Sequence, residues 1–414
     1  MPRRRVVITG LGVVSSIGLG KEAFWRALLA GRSGIKRIRS FDASLYASQI
    51  AGEILDFSAE EFFPCGATSR LSRASQLALV ASQMALEDAL VDRNNCETDR
   101  FGTVIGTALG GTEVYENQLR RLIETNNPRR VHPCSVPLIM ANAPAAEIAI
   151  RYGLKGPNMT VSTACSSGAH AIGYGLDLIR SGRVDIMIAG GTEACIVPGV
   201  VAGFDSLRAL SVHNNEPERA SRPFDRARDG FAIGEGAGVL ILETLESAKQ
   251  REVPIYAEVA GYGAACEACH VIHPERTGAE ESRVMELALK DAGIHADQVD
   301  YINTHGTSTV LNDLTETYAI KKLFGPHAYR ISLNSTKSMI GHTIGAAGAI
   351  EAIVCALTLR HNVLHPTINY QNPDPDCDLD YTPNHASEKD VRIALSNSFG
   401  FGSNNACLVM KTLS

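Results

Sequence analysis

Val161-Ser-Thr-Ala-Cys165-Ser-Ser-Gly168-Ala-His170 joins the end of an apolar run to the start of an amphipathic one through a turn of small residues. A strand that stops in such a turn and hands over to a helix is one step of a βαβ unit. The same alternation fills the chain outward from it. Short apolar segments read as strands at 6–9, 101–105, 186–189, 238–242, 331–333 and 406–410, and stretches of helical length lie at 21–30, 72–90, 169–181, 282–292, 313–324 and 350–360. That pattern predicts an α/β fold around a mostly parallel, buried sheet. No low-complexity segment or linker interrupts it.

An internal repeat points to duplication. Ser162-Thr-Ala-Cys-Ser-Ser-Gly168 is followed 68 residues on (230 less 162) by Gly230-Phe-Ala-Ile-Gly-Glu-Gly, and Ser335-Thr-Lys-Ser-Met-Ile-Gly341 is followed 65 residues on (400 less 335) by Gly400-Phe-Gly-Ser-Asn-Asn. Two related halves are expected, 1–255 with the cysteine motif and 256–414 with two histidine motifs, packed as one body.

The 414 residues are 45% hydrophobic and 20% charged, with a mean hydropathy of -0.01. No uninterrupted apolar run reaches the roughly 18 residues of a membrane-spanning helix. Met1-Pro-Arg-Arg-Arg leads into Val6-Val-Ile-Thr-Gly10, which reads as a first strand and not as a signal peptide. Ten cysteines without an export signal are expected as free thiols in the cytoplasm. A net charge of -6 disfavours broad binding to nucleic acid.

Chemistry concentrates at three strand ends, where open α/β sheets place their sites. Buried cysteines are usually small core hydrophobes, but Cys165 stands where a helix begins. There the free N–H groups and partial positive charge of the helix N-terminus are expected to favour its thiolate. Asn303-Thr-His305-Gly-Thr307-Ser-Thr309 and Lys337-Ser-Met-Ile-Gly341-His342-Thr-Ile-Gly345 place a histidine each in a glycine-flanked turn, with Lys337 nearby. A cysteine, two imidazoles and a lysine are the parts of a thiolate acyl-transfer site. His170 either faces that site or serves packing.

Thr163-Ala-Cys165-Ser-Ser-Gly168, His305-Gly-Thr-Ser-Thr309, Ser335-Thr-Lys337-Ser-Met-Ile-Gly-His342 and Asn397-Ser-Phe-Gly-Phe401-Gly402 resemble the condensing-enzyme family, and within it the type II β-ketoacyl-[acyl-carrier-protein] synthases. The likeness runs from Arg5 to about Met410. It implies the thiolase fold, two βαβαβαβ halves in a five-layer α/β/α/β/α body, normally a homodimer. It further implies an acyltransferase that needs no metal or redox cofactor, its substrates being carried on the phosphopantetheine of acyl carrier protein. Cys165 would take the primer acyl group, and His305 and His342 would promote decarboxylation of a malonyl thioester. Lys337 would orient them with Glu351 beside it, and the N–H groups of Cys165 and Phe401 would form the oxyanion hole. Thr307 and Thr309 would bind the pantetheine arm, Phe401 would act as a gate, and Arg70, Arg73, Arg129, Arg130 and Arg208 would dock the acidic carrier protein.

Named residues weigh against neighbouring activities. Thiolases have a second cysteine where this chain has Phe401-Gly-Ser403. Initiating synthases have an asparagine where His342 stands, and chain-length factors lack the nucleophile. A polyketide or polyene ketosynthase, paired or unpaired with a related subunit, and a non-catalytic chain-length partner remain the alternatives. Cys134-Ser135 replace two aromatic residues that usually close the acyl pocket at the dimer interface. Ile272 stands where threonine is common, Ser403-Asn404 replace a Gly-Thr, and Val200 replaces a glycine. Leu109, Cys195, Val200 and Phe204 are expected to line the acyl tunnel, so a long, bulky or functionalised chain is the expected substrate. Cys266-Glu-Ala-Cys269-His270 matches a haem-attachment pattern and, with His273, approaches a zinc set. Neither is adopted, because no export signal accompanies the first and the second is crowded into eight residues.

Overall fold

The first half gives the main sheet five side-by-side strands, β1 (Val6–Ser15), β2 (Phe101–Gly106), β3 (Asn158–Val161), β4 (Ile186–Glu193) and β5 (Gly236–Thr244), in the order β3-β2-β4-β5-β1. The second builds β6 (Ala257–Cys266), β7 (Tyr301–Asn303), β8 (Ser332–Asn334), β9 (Ile393–Gly400) and β10 (Asn404–Lys411), ordered β8-β7-β9-β10-β6. Counted within each half, the order is the same, third-second-fourth-fifth-first. The senses also agree, since β2 is parallel to β3 and β4 as β7 is to β8 and β9. In both halves the fifth strand is antiparallel to its two neighbours. The computed structural model describes residues 3–63, 66, 70–92 and 97–413.

The halves join where β1 and β6 pair antiparallel at Val7–Glu258 and Ile8–Ala257, making the sheet continuous. The sheet is therefore mixed and not mostly parallel. The physical reason is plain at β9 and β10, where a tight turn forces an antiparallel return, and β5 repeats that arrangement after a longer excursion.

Three helical layers enclose the two half-sheets. Helices α1 (Arg73–Asp88) and α3 (Ala143–Tyr152) cover the first, with α2 (Thr112–Thr125) beyond β2. Helices α5 (Ala279–Ala292) and α6 (Val310–Phe324) cover the second. Between the half-sheets run α4 (Ser167–Arg180) and α7 (Ala347–His361), each touching strands of both halves and the other. Burial on all sides explains why α7 is apolar nearly all round. The segment Ile344–His361 is long and apolar enough to cross a membrane, yet it is enclosed by the protein.

Small residues set how closely α4 and α7 cross. A Cβ on Gly168 would lie 2.8 Å from the Ala349 nitrogen, and one on Gly348 would lie 2.8 Å from the Ala169 nitrogen. The reciprocity is that of a duplicated element. Each helix is entered through a one-turn elbow, Ala164–Ser166 and Ile344–Ala346, an offset of 180 residues (344 less 164). Each elbow opens on a non-glycine residue of positive φ, Ala164 at 51° and Ile344 at 46°. Residue 165 thus corresponds to 345. The sequence repeat paired Ser162 with Ser335, seven residues out of this register, because short Gly/Ser strings can be aligned in several ways.

Candidate active site

Cys165 sits in the first elbow, 7% exposed. His305 leaves the end of β7, and His342 precedes the second elbow. One ligand atom from each of the three lies within 4.8 Å of the others. The imidazoles meet edge to face, with centroids 5.4 Å apart. They close a cavity of about 480 Å³ also lined by Thr307, Thr309 and Phe401.

Burial, not the helix N-terminus, sets the resting protonation. It pushes the Cys165 thiol up to about 11, against the opposing pull of Lys337 and of the Phe401 and Cys165 N–H groups. The sequence expectation of a favoured thiolate is corrected accordingly. Burial and then the Lys337 charge hold both His305 and His342 well below the usual imidazole range. The resting site is a thiol facing two neutral imidazoles. The Ile344 N–H donates to Nδ1 of His342 at 3.2 Å, which leaves the ring proton on Nε2, a buried atom with no partner among the described residues.

The cysteine and two imidazoles form a soft-metal donor set, but their surroundings are wrong for one. A metal on Nε2 of His342 would move that ring's proton to Nδ1, against the Ile344 N–H. Metal-bound histidines normally direct the other nitrogen at an acceptor.

Buried carboxylates fix the turns. Lys337 Nζ meets Glu351 Oε1 at 2.5 Å, both side chains 1% exposed. Glu316 on α6 accepts the N–H groups of His305 at 2.9 Å and Gly306 at 2.8 Å, and the Asn397 amide at 3.1 Å. Glu193, the last residue of β4, accepts from Thr107, Ala108, Leu109 and Gly345. Sequence reasoning missed both glutamates.

Thr307 and Thr309 hydroxyls stand 2.9 Å apart at the cavity wall. Leu109, Phe204 and Ile272 line the cavity, and Cys195, Val200 and Phe204 pack in one apolar cluster with Cys165. Cys134 and Ser135 are not among the lining residues of this single chain. Of the five arginines, Arg208 lines the cavity, and Arg70, Arg129 and Arg130 are exposed. Arg73 is no free docking group, because its guanidinium binds both oxygens of Glu235 at 2.6 and 2.7 Å and the Ile54 carbonyl. His170 serves packing, edge to face with Tyr262.

Cys266 and Cys269 are exposed free thiols, and they do not gather with His270 and His273 into a ligand cluster among the described residues. Their loop is tied to the Phe401 loop instead: Gly402 N–H donates to Val271 O at 2.7 Å, Ser403 Oγ to His270 O at 3.0 Å, and Glu267 N–H to Ser403 O at 3.1 Å. Cys65 and Cys96 lie outside the described residues.

Duplicated halves with a cysteine elbow facing two histidines define a thiolase-fold condensing enzyme. The description "Beta-ketoacyl synthase, N-terminal domain" matches residues 3–248, and "Beta-ketoacyl synthase, C-terminal domain" matches 256–371. The chain belongs to the β-ketoacyl synthase family, and it is an acyltransferase. It is 46% identical over 411 residues to 3-oxoacyl-[acyl-carrier-protein] synthase 2 of Synechocystis sp., and 45% over 410 to the synthase of that name from Coxiella burnetii, covering 99% of both chains in each case. Among solved structures, the ishigamide ketosynthase/chain length factor superposes with a TM-score of 0.94 at 40% identity. A type II PKS ketosynthase in complex with its acyl-carrier protein and bound to the hexaketide gives 0.93 at 37%. Both cover 100% of each chain.

Proposed function

We propose that this β-ketoacyl synthase elongates fatty acyl chains by decarboxylative Claisen condensation, with Cys165 carrying the growing chain. Acylation begins when the Cys165 sulfur attacks the thioester of an acyl carrier protein. The thiol proton goes to the departing phosphopantetheine sulfur, and the acyl group stays on Cys165. Malonyl carrier protein then enters, its arm held at Thr307 and Thr309. Loss of carbon dioxide leaves an enolate whose oxygen is met by N–H donors of His305 and His342, which are worth most in a water-poor cavity. The enolate carbon attacks the Cys165 thioester carbonyl, whose oxygen faces the N–H groups of Cys165 and Phe401. That attack forms the new C–C bond and a tetrahedral oxyanion, whose collapse breaks the C–S bond and expels the Cys165 thiolate, which returns to the thiol by uptake of one proton.

The observation that carries this reading is the convergence of the Cys165 sulfur with two neutral imidazoles at the elbow of a central helix. Full-length relatives named 3-oxoacyl-[acyl-carrier-protein] synthase 2 support the fatty-acid role, and the nucleophile speaks against a chain-length partner. Mass spectrometry after incubation with carrier protein loaded with an acyl thioester should find one acyl group on Cys165, and a clean failure of the wild type to acylate would sink the assignment. Cys165→Gln should abolish condensation while malonyl decarboxylation persists, and His305→Ala should lose decarboxylation.

The partner reading is a homodimer. Its support is β3, an end strand of the sheet, and the exposed apolar Val136, Met140, Ile150 and Met159, since such edges are normally covered. Cys134-Ser135 adjoin that surface, so a second copy would bring small residues where aromatic ones usually close the acyl pocket. Acceptance of long or functionalised chains follows, and equal or better turnover of short saturated primers in a chain-length series would contradict it. The free thiols support placement in the cytoplasm, and Arg208 at the cavity is the best-placed group for an acidic carrier protein.

A further inference from the structure

The second elbow shows what became of the other copy of the nucleophile turn. There Gly345 occupies the position that Cys165 holds in the first, followed in both cases by a helix of the central layer. At the first elbow the N–H groups of Cys165 and Phe401 are directed at the sulfur. At the second, the Gly345 N–H donates at 3.1 Å to Oε2 of Glu193. The same oxygen accepts the Ala108 N–H at 2.7 Å, and Oε1 accepts the Thr107 hydroxyl at 3.1 Å and the Leu109 N–H at 3.2 Å. Four neutral donors surround this fully buried carboxyl and favour its charged form against burial, which pushes it up to about 7, and among the described residues no cation pairs with it.

This arrangement is an anion hole filled from within. Each Glu193 oxygen accepts twice, so a hydrogen on Oε2 would face an N–H head-on, and the two hydrogens of an amide nitrogen at Oε1 would turn the Thr107 hydroxyl round and meet the Leu109 N–H. The carboxylate also spans the halves. It fixes the 107–109 loop, whose Ala108 and Leu109 line the catalytic cavity. Through Gly345 it fixes the backbone whose neighbouring Ile344 N–H orients His342. We propose that Glu193 is a positioning residue for the condensation, its carboxylate filling the anion site of the second elbow and so holding His342 and the Leu109 loop at their working separation.

The inference rests on His342 and Cys165 acting as assigned above, and the two readings fail separately. Wild type that does not acylate at Cys165 refutes the assignment of the nucleophile. Wild type that does, beside a Glu193→Gln variant that matches it, refutes only the role of Glu193. Glu193→Gln preserves shape and removes the acceptor pattern, so a space-filling role would leave rates intact. The expected result is a folded protein, by circular dichroism, whose kcat for condensation and for malonyl decarboxylation drops about 10²-fold, the scale of a small misplacement of a catalytic group. KM for malonyl carrier protein should stay within about threefold, because Thr307 and Thr309 are untouched. Glu193→Ala should regain rate when formate is added, a carboxylate small enough for the vacated hole, and should not regain it with chloride. Rates of Glu193→Gln within twofold of wild type, or no response of Glu193→Ala to formate, would overturn the proposal. If neither variant folds, Thr107→Val decides: it removes one donor of the four and should lower kcat severalfold with KM held, and a wild-type kcat would count against the role.

Discussion

At Cys165 burial and the charges around it pull in opposite directions, and the balance has a measurable pH signature. With the thiol pushed up to about 11, the thiolate fraction grows tenfold per pH unit until close to that value, whereas an ordinary cysteine levels off near 8.5. Alkylation of Cys165 by iodoacetamide, followed by mass spectrometry, should therefore keep rising through pH 10, and a plateau below pH 9 would contradict the buried-thiol description. Lys337 gives a second test at this scale. Lys337→Met removes the partner of the Glu351 carboxyl, which burial already pushes up to about 7, and should cost about 3–5 kcal/mol in urea denaturation, with Lys337→Met/Glu351→Leu losing less. Cys165, His305 and His342 were legible in the sequence because each stands in a turn beside glycine whose chemistry is local, and Lys337 because it lies in the same short motif as His342. Glu193 and Glu316 were not. Their donors lie as far as 152 and 81 residues away in the chain, and an isolated glutamate at a strand end reads as a solvated charge until the fold closes over it.

The central helices carry the next level. Because a Cβ on Gly168 or Gly348 would lie 2.8 Å from a backbone nitrogen of the opposing helix, a methyl group at either must push the helices apart. Gly168→Ala and Gly348→Ala should each cost about 1–3 kcal/mol, read as a shifted denaturation midpoint with unchanged slope. Acylation of Cys165 should fall with them, since the same displacement moves the elbow. Helix α4 was legible from its amphipathic spacing, and α7 from its helical length. Helices α2 and α3 were passed over, as were strands β6 and β9. Strand β6 carries Gly261 and Gly263, poor strand formers by themselves, which are required because a Cβ at either would strike the α5 backbone within 2.4 Å. That demand comes from a neighbour and leaves no periodic signal in the strand.

For the molecule as a whole, duplication was legible as an idea and misread in register, since matching Gly/Ser strings does not reveal which turn enters which helix. The repeated strand order settles it. The exposed edge at β3 makes a prediction here: sedimentation should give a dimer, and Ile150→Asp should shift it toward monomer. The enclosure of α4 by α7 bears on how the chain is made. During synthesis the second elbow follows the first by 180 residues, about 9–36 s at the usual 5–20 residues per second. Throughout that interval the face of α4 that will meet α7 has nothing to lie against. The nascent chain thus waits half-sealed at the ribosome, and its yield in the cell should depend on holdase chaperones far more than the stability of the finished enzyme would imply.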